Sequence, residues 1–382
     1  MDARIPSVRR PDLDALRVFA FAMLILYHTG MGYVTWGWHV KSAYAGTTLE
    51  LPMMLMSPWR LPLLFFISGV AMAMLAAKLG TGRFVLDRVW RLFVPLVFGM
   101  AVIVMPQAYF ELRTNGEIEP GILAFWPHYL DFGSAFSIVT PTWNHLWYVV
   151  YILVYALILA PVLPHTPALA RFRLERVWQG PAGPAAFLVL PVLPLLLIRF
   201  TLADSFPATH NLVWDWATHA YSLTFVIFGV LAARSHGFWR VVDRAGRAAL
   251  ALTLAGAVLL VFAYLDFDGR FANPVEATLL RGLRLAYAWW MIVALIWLAR
   301  RLIRSGSALL SRLNTLIFPV FILHQTITVS TIYLITAWGW RLTGPGEFLL
   351  VAAITLLGSW AIAEVALRIA ILRPLMGMKY RI

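Results

Sequence analysis

Apolar runs of about 20 residues alternate along this chain with short polar, basic or aromatic segments. The runs lie at roughly 14–35, 59–79, 92–112, 143–163, 185–203, 215–233, 247–265, 281–299, 315–336 and 347–371. Each has the length at which an α-helix crosses a hydrocarbon core of ~30 Å. No segment between them is long enough to fold alone, and the longest, about 113–142, joins the third and fourth runs. Neither a fixed-period repeat nor a low-complexity linker interrupts the series. Pro191, Pro194 and Pro319 lie inside runs and predict kinks or locally opened backbone. The pattern predicts an all-α polytopic membrane protein, with about ten transmembrane helices around a central polar cavity. Residues 1–382 are expected to form a single membrane-embedded domain, with an N-terminal tail at 1–13 and a C-terminal tail at 372–382. The first run follows a basic N-terminus, as a signal peptide would. It is too long for one, lacks a clear small-x-small cleavage site and leads into further spans, so it is read as retained.

Composition agrees with the pattern. The chain is 61% hydrophobic with a mean hydropathy of +0.77 and only 13% charged residues, outside the range of water-soluble globular domains. It contains no cysteine, which excludes disulfides, thiolate catalysis and zinc–cysteine sites and leaves the redox compartment unmarked.

The formal charge of +13 would suit nucleic acid, but its distribution points elsewhere. With a cytoplasmic N-terminus, that side of the membrane holds Arg4, Arg9, Arg10 and Arg17, then Lys78, Arg83, Arg88 and Arg91. It also holds Arg171, Arg173 and Arg176, then Arg234, Arg240, Arg244 and Arg247. Arg300, Arg301, Arg304 and Arg312 follow, and finally Arg368, Arg373, Lys379 and Arg381. Together these are 23 of the 31 basic residues. Cytoplasmic loops attract Lys and Arg in this way, so the charge reports topology, both termini are expected in the cytoplasm, and nucleic acid is not a partner. Tryptophan and tyrosine in "WGWHVKSAYAGTTLELP" and in 113–142 read first as interfacial anchors, with platforms for a sugar as the functional alternative.

Two side chains in the first run, "LDALRVFAFAMLILYHTG", are foreign to lipid. Arg17 and His28 are eleven residues apart, so at 100° per residue they share a helix face, about 16 Å apart along the axis. Asp14 lies three residues before Arg17 and can pair with it. Arg17 can snorkel to headgroups, whereas an ionisable group at the depth predicted for His28 normally faces a cavity or a partner. In "DRVWRLFVPL", Arg88 and Arg91 stand at i and i+3 at the entrance to the third run. Guanidinium forks there either anchor the helix or, with Arg17, grip phosphates.

Further candidates are Arg60 and Ser68 in "WRLPLLFFISG", which either line an acyl pocket or, for the Ser68–Gly69 pair, permit close helix packing. Asn144, His145 and Trp147 in "NHLWYVVYILVY" can face an acceptor cavity, and His324 can orient substrate or pair with Glu364. Glu364 and Arg368 form an i,i+4 pair. The nine histidines show no HExxH-like spacing, so no catalytic metal is expected.

The ordered set of Arg-x10-His, "WRLPLLFFISG", Arg-x-x-Arg, "NHLWYVVYILVY", "FPVFILHQ" and "AEVALRIAILRPLMGMK" resembles the acyltransferase-3 family over nearly the whole chain. The resemblance implies a multi-pass enzyme of the cell inner (plasma) membrane that moves acyl groups from a cytoplasmic donor to an extracytoplasmic acceptor. Together these motifs resemble the branch that succinylates periplasmic glucans. It implies acyl-CoA, with succinyl-CoA favoured, as co-substrate, and a glycan hydroxyl as acceptor. His28 takes the place of the family's catalytic histidine, and Arg17, Arg88 and Arg91 those of its donor-binding arginines. A thioester is already activated, so a base for the acceptor hydroxyl and stabilisation of the oxyanion are the main needs. His28 is read as that base, with a covalent acyl-histidine as the alternative. Other readings are acetylation of a lipid or envelope polysaccharide and, outside enzymes, a transporter or flippase. Transporters often pair broken helices in related halves, whereas the arginines and the deep histidine here cluster near the N-terminus.

Overall fold

A computed structural model describes residues 10–133, 136–165, 174–266 and 273–379. Arg4, Arg9, Arg171, Arg173 and Arg381 of the basic set lie outside the described residues, as do residues 1–9 of the predicted N-terminal tail and 380–382 of the C-terminal one. All regular structure among the described residues is helical. The principal helices are α1 (Pro11–Met31), α2 (Glu50–Leu79), α3 (Thr81–Thr114), α4 (Ile122–Leu130), α5 (Trp147–Leu159), α6 (Leu174–Gln179), α7 (Gly183–Val189) and α8 (Val192–Thr201). They continue as α9 (Trp216–Arg234), α10 (His236–Asp266), α11 (Pro274–Leu302), α12 (Ala308–Ala337), α13 (Gly344–Arg368) and the short α14 (Leu372–Leu375). Nine stretches among the described residues are long and apolar enough to cross a membrane.

Three predicted spans differ in detail. The run at 143–163 opens with a 3₁₀ turn, Asn144–Leu146, and continues as α5 for only 13 residues, about 20 Å of helix. That is shorter than a full crossing. The run at 185–203 is broken into α7 and α8 at Pro191. Proline has no N–H to give the carbonyl four residues earlier, which here is Phe187. Trp289 Nε1 donates to that carbonyl at 2.9 Å, and Trp290 Nε1 donates to the next one, Leu188 O, at 3.0 Å. The break therefore leaves no hydrogen-bonding debt at either carbonyl. Pro319, by contrast, lies inside the continuous helix α12.

The third run is a single helix wound wider in two places, with π turns at Val89–Phe93 and Gly99–Ile103. Each precedes a proline, Pro95 or Pro106, whose ring crowds the preceding turn. The second π turn presents carbonyls sideways, and side chains take them. Tyr129 Oη donates to Met100 O at 2.8 Å, Trp126 Nε1 to Ala101 O at 2.9 Å, and Thr326 Oγ1 to Ile103 O at 2.5 Å. Tyr129 and Trp126 belong to α4, inside the 113–142 segment. That segment is thus folded onto α3 through a core of Met105, Ala108, Tyr109, Leu112, Phe125 and Tyr129. Burial pushes the Tyr129 hydroxyl up to about 12, so it remains a donor.

The chain forms two compact units. The first comprises Met1–Ala20, Met54–Leu86 and Val154–Ser311, and the second Phe21–Met53, Asp87–Leu153 and Arg312–Ile382. In the first unit α2 and α9 touch backbone to backbone. A Cβ added at Gly69 would lie 2.0 Å from Val226 O, and one at Gly229 would lie 2.0 Å from Phe66 O. The small residue in "FISG" is therefore a packing residue. Gly69→Ala should force the two helices apart and destabilise the protein by about 1–3 kcal/mol. Thermal unfolding in detergent reads this effect, and an unchanged Tm would contradict the contact.

In the second unit, the segment joining α1 to α2 is held by two buried carboxylates. Glu347 Oε1 accepts from Tyr33 Oη at 3.1 Å and Ser42 Oγ at 2.6 Å. Glu50 Oε1 accepts from Thr35 N at 3.0 Å and also from the Thr35 hydroxyl. Burial, and then the Glu347 charge, push the Tyr33 hydroxyl far above its ordinary value, which keeps it a donor. Lys41 Nζ donates to Met31 O, the last carbonyl of α1, at 2.7 Å and to Val34 O in the turn that follows at 2.8 Å. Burial pulls the Lys41 ammonium below its usual range, with the Glu50 carboxylate opposing.

A candidate active site around paired histidines

His28 lies in the last turn of α1, three residues from the helix end, rather than deep within it. Its Nδ1 is 2.7 Å from Nε2 of His324 on α12, and the two ring planes are within 8° of parallel. The Nδ1 atom of His324 is 2.5 Å from Phe321 O. A carbonyl only accepts, so His324 carries its proton on Nδ1 and, when neutral, presents a lone pair on Nε2. His28 must then donate from Nδ1, which places its own lone pair on Nε2. One backbone carbonyl thereby fixes the tautomers of both rings.

His145, from the 3₁₀ turn before α5, stands edge-on to His324 with ring centroids 5.0 Å apart. Its Nε2 donates to Ile322 O at 3.0 Å, so its Nδ1 faces the Gln107 amide, 3.4 Å away, as an acceptor. Gln107 Nε2 also donates to Thr326 Oγ1 at 2.7 Å, and Gln107 Oε1 accepts from Asn144 Nδ2 and Gln325 Nε2, each at 3.0 Å. Gln325 Nε2 donates as well to His39 Nε2 at 2.9 Å. That bond leaves His39 its proton on Nδ1, which is 2.5 Å from Glu111 Oε2. Asn144 holds its place with φ 38°, a left-handed conformation that asparagine tolerates better than most residues. His324 and Gln107 are fully buried, and His145 and Gln325 nearly so. Buried polar groups need partners, and this chain of hydrogen bonds supplies them.

The other predicted residues are distributed as follows. Arg17, Asp14, Arg60 and Ser68 belong to the first unit, and His28, Arg88, Arg91, Asn144, His145, Trp147, His324 and Glu364 to the second. Arg17 and Asp14 are half-buried and Arg60 is buried. Arg88 ion-pairs with the adjacent Asp87. Arg91 lies inside the first π turn, so the regular i,i+3 spacing expected for Arg88 and Arg91 does not hold there. Trp147 is buried, with its ring edge-on to Tyr151 at 5.0 Å.

His324 does not pair with Glu364, and Glu364 does not pair with Arg368. Glu364 binds Arg312 through both carboxylate oxygens, with Arg312 Nε to Oε1 at 2.9 Å. Arg312 is one turn into α12 and Glu364 one turn from the end of α13. In an antiparallel hairpin those two positions meet, whereas His324 is twelve residues, about 18 Å, further along α12. Arg368 is exposed.

Sequence reasoning passed over Gln107, Gln325, His39 and Glu111. The available signals were polar residues isolated in apolar surroundings, such as the glutamine of "VIVMPQAYF", and a glutamine directly following a candidate histidine. Among the described residues, no group of three or more His, Asp or Glu is arranged to hold a metal ion.

Long apolar helices that carry a half-buried histidine hydrogen-bonded to a fully buried one define a multi-pass membrane protein with a polar cluster among its helices. Residues 10–364 match the acyltransferase-3 model, described as an acyltransferase domain, and the chain belongs to that family of membrane acyltransferases. It is similar to glucans biosynthesis protein C of Salmonella gallinarum (strain 287/91 / NCTC 13346), 21% identical over 352 residues, or 85% of this chain and 84% of the relative. Proteins of the same name from Salmonella paratyphi B and Salmonella enteritidis PT4 match with the same identity and coverage. No solved structure matches the chain.

Proposed function

We propose that this single-domain enzyme of the inner membrane, with both termini cytoplasmic, transfers an acyl group from acyl-CoA to a glycan hydroxyl on the outer side. Succinyl-CoA is the favoured donor. The observation that carries the reading is the chain from Phe321 O through His324 to His28, because it readies a lone pair on His28 Nε2. His28 Nε2 accepts the acceptor's hydroxyl proton as the oxygen attacks the thioester carbonyl. The C–S bond then breaks, and the same imidazolium returns its proton to the departing thiolate. Atoms and charge balance, and His28 ends the cycle neutral. While His28 is charged, its Nδ1–H bond to His324 Nε2 spreads that charge over a second ring. Arg17, Arg88 and Arg91 hold the phosphates of the donor nucleotide.

The test is a panel of acyl-CoAs screened for thermal stabilisation and transfer in proteoliposomes. Succinyl-CoA should stabilise and serve as donor. Arg88→Ala and Arg91→Ala should each weaken donor binding by about 1.5–3 kcal/mol, the worth of a charged hydrogen bond. Arginine-to-lysine changes should restore binding only in part, because the planar fork is lost. Donor affinity unchanged in the alanine variants of all three arginines would remove them from the site.

A further inference from the structure

The hydrogen-bond chain does not end at the buried glutamines. It runs outward to His39 and Glu111, whose side chains are 17% and 21% exposed, whereas Gln107 and Gln325 are 0% and 3% exposed. One end of the chain is therefore locked in the protein and the other is open. At the open end, Glu111 spends Oε2 on His39, and its Oε1 accepts from no group among the described residues. Trp38 stands beside this pair, with its ring centroid 5.5 Å from that of His39 and the planes at 52°. The loop bearing Trp38 and His39 is fixed by its bonds to Glu347 and Glu50. The rim is thus rigid before any ligand arrives, which lowers the ordering cost of binding.

We propose that Trp38, His39 and Glu111 form the acceptor subsite and that it binds the ring hydroxyls of a neutral carbohydrate, a proposal that rests on the transferase reading above. A carboxylate oxygen accepts hydroxyl hydrogens with charge-assisted strength. An indole face takes the apolar C–H side of a sugar ring, while a fixed amide and imidazole wall behind gives direction. The rim's anionic oxygen disfavours a phosphorylated or carboxylated acceptor, and a purely apolar acceptor has no use for such a wall. Gln325 follows His324 directly on α12, and His145 lies between His324 and Gln107. The subsite is thereby tied to the histidine pair by shared, hydrogen-bonded residues.

The experiment measures binding of neutral gluco-oligosaccharides to the full-length protein in nanodiscs without acyl donor. The wild type should bind. Glu111→Gln keeps an oxygen for His39 but loses the charge, and should weaken binding about 10-fold or more. Trp38→Ala should do the same through the lost ring face, while Trp38→Phe should recover part of the affinity. In transfer assays, Glu111→Gln should raise the acceptor KM by a similar factor and leave kcat at saturating acceptor within a few-fold of wild type. Wild-type protein that binds none of the neutral sugars, or folded Glu111→Gln and Trp38→Ala variants that bind them as tightly as wild type, would overturn the proposal. Because binding is read without donor, this failure is separable from failure of the transferase reading. That reading would fall if transfer survived His28→Ala while sugar binding stayed intact.

Discussion

His28→Ala should lower acyl transfer by about 10²–10⁴-fold, the usual contribution of a positioned proton acceptor. The lone pair that the tautomer chain places on Nε2 is lost with the imidazole. Wild-type transfer should rise with pH, since only the neutral imidazole can accept a proton. The residual rate of the variant should lose that histidine-dependent limb. Donor binding should persist, because the proposed phosphate contacts come from Arg17, Arg88 and Arg91. A covalent acyl-histidine would also be lost in His28→Ala. Rapid quenching with labelled donor before acceptor is added separates the two mechanisms, since only the covalent route leaves acylated protein. Near wild-type turnover by a folded His28→Ala protein would remove His28 from the chemistry altogether.

The second large effect is expected at His324, which never needs to touch substrate. Replacing it with phenylalanine keeps a flat ring but removes the acceptor for His28 Nδ1–H. His28 is then free to adopt the other tautomer, with its proton on Nε2, where it cannot act as base. Second-sphere orienting groups commonly contribute 10–100-fold, and loss of the orienting group from a catalytic histidine has cost far more in serine proteases. A kcat loss of about 10–10³-fold is expected for His324→Phe, with little change in donor KM. His324→Gln offers a side-chain oxygen to the same N–H and should recover part of kcat. A purely structural role would instead lower Tm in step with activity and give no such rescue. Equal activity losses in His324→Phe and His324→Gln, each matched by lost folding, would demote His324 to packing.

The spans were legible in sequence because their signal is local: a run of about 20 apolar residues lies within one helix. The Arg-x10-His spacing is local too, and places both side chains on α1. The partner of His28 was not legible, since it is 296 residues away, and no spacing rule reaches that far. Glu364 illustrates the opposite error. Its nearest basic neighbour in sequence is Arg368, but hairpin packing brings Arg312 to it from 52 residues away. Gln107 and Gln325 escaped notice because neutral amides advertise no charge, metal affinity or titration. Their importance lies in having both a donor and an acceptor, which matters only once neighbours are known. The shortness of α5 was hidden because Asn144 and His145 sit in an apolar neighbourhood. Composition cannot tell their 3₁₀ turn from a helical one.

The widened turn at Gly99–Ile103 also constrains how this chain can diverge. The 113–142 segment looks like a tolerant linker, free to drift or to be exchanged between relatives. Yet its Trp126 and Tyr129 complete the backbone of α3, the helix that also carries Gln107 and Glu111. A transplanted segment lacking those two donors would strand two carbonyls in apolar surroundings, at about 1–3 kcal/mol each. The heritable module is therefore α3 together with α4. Chimeras cut between them would separate a bent helix from the clasp that holds its bend.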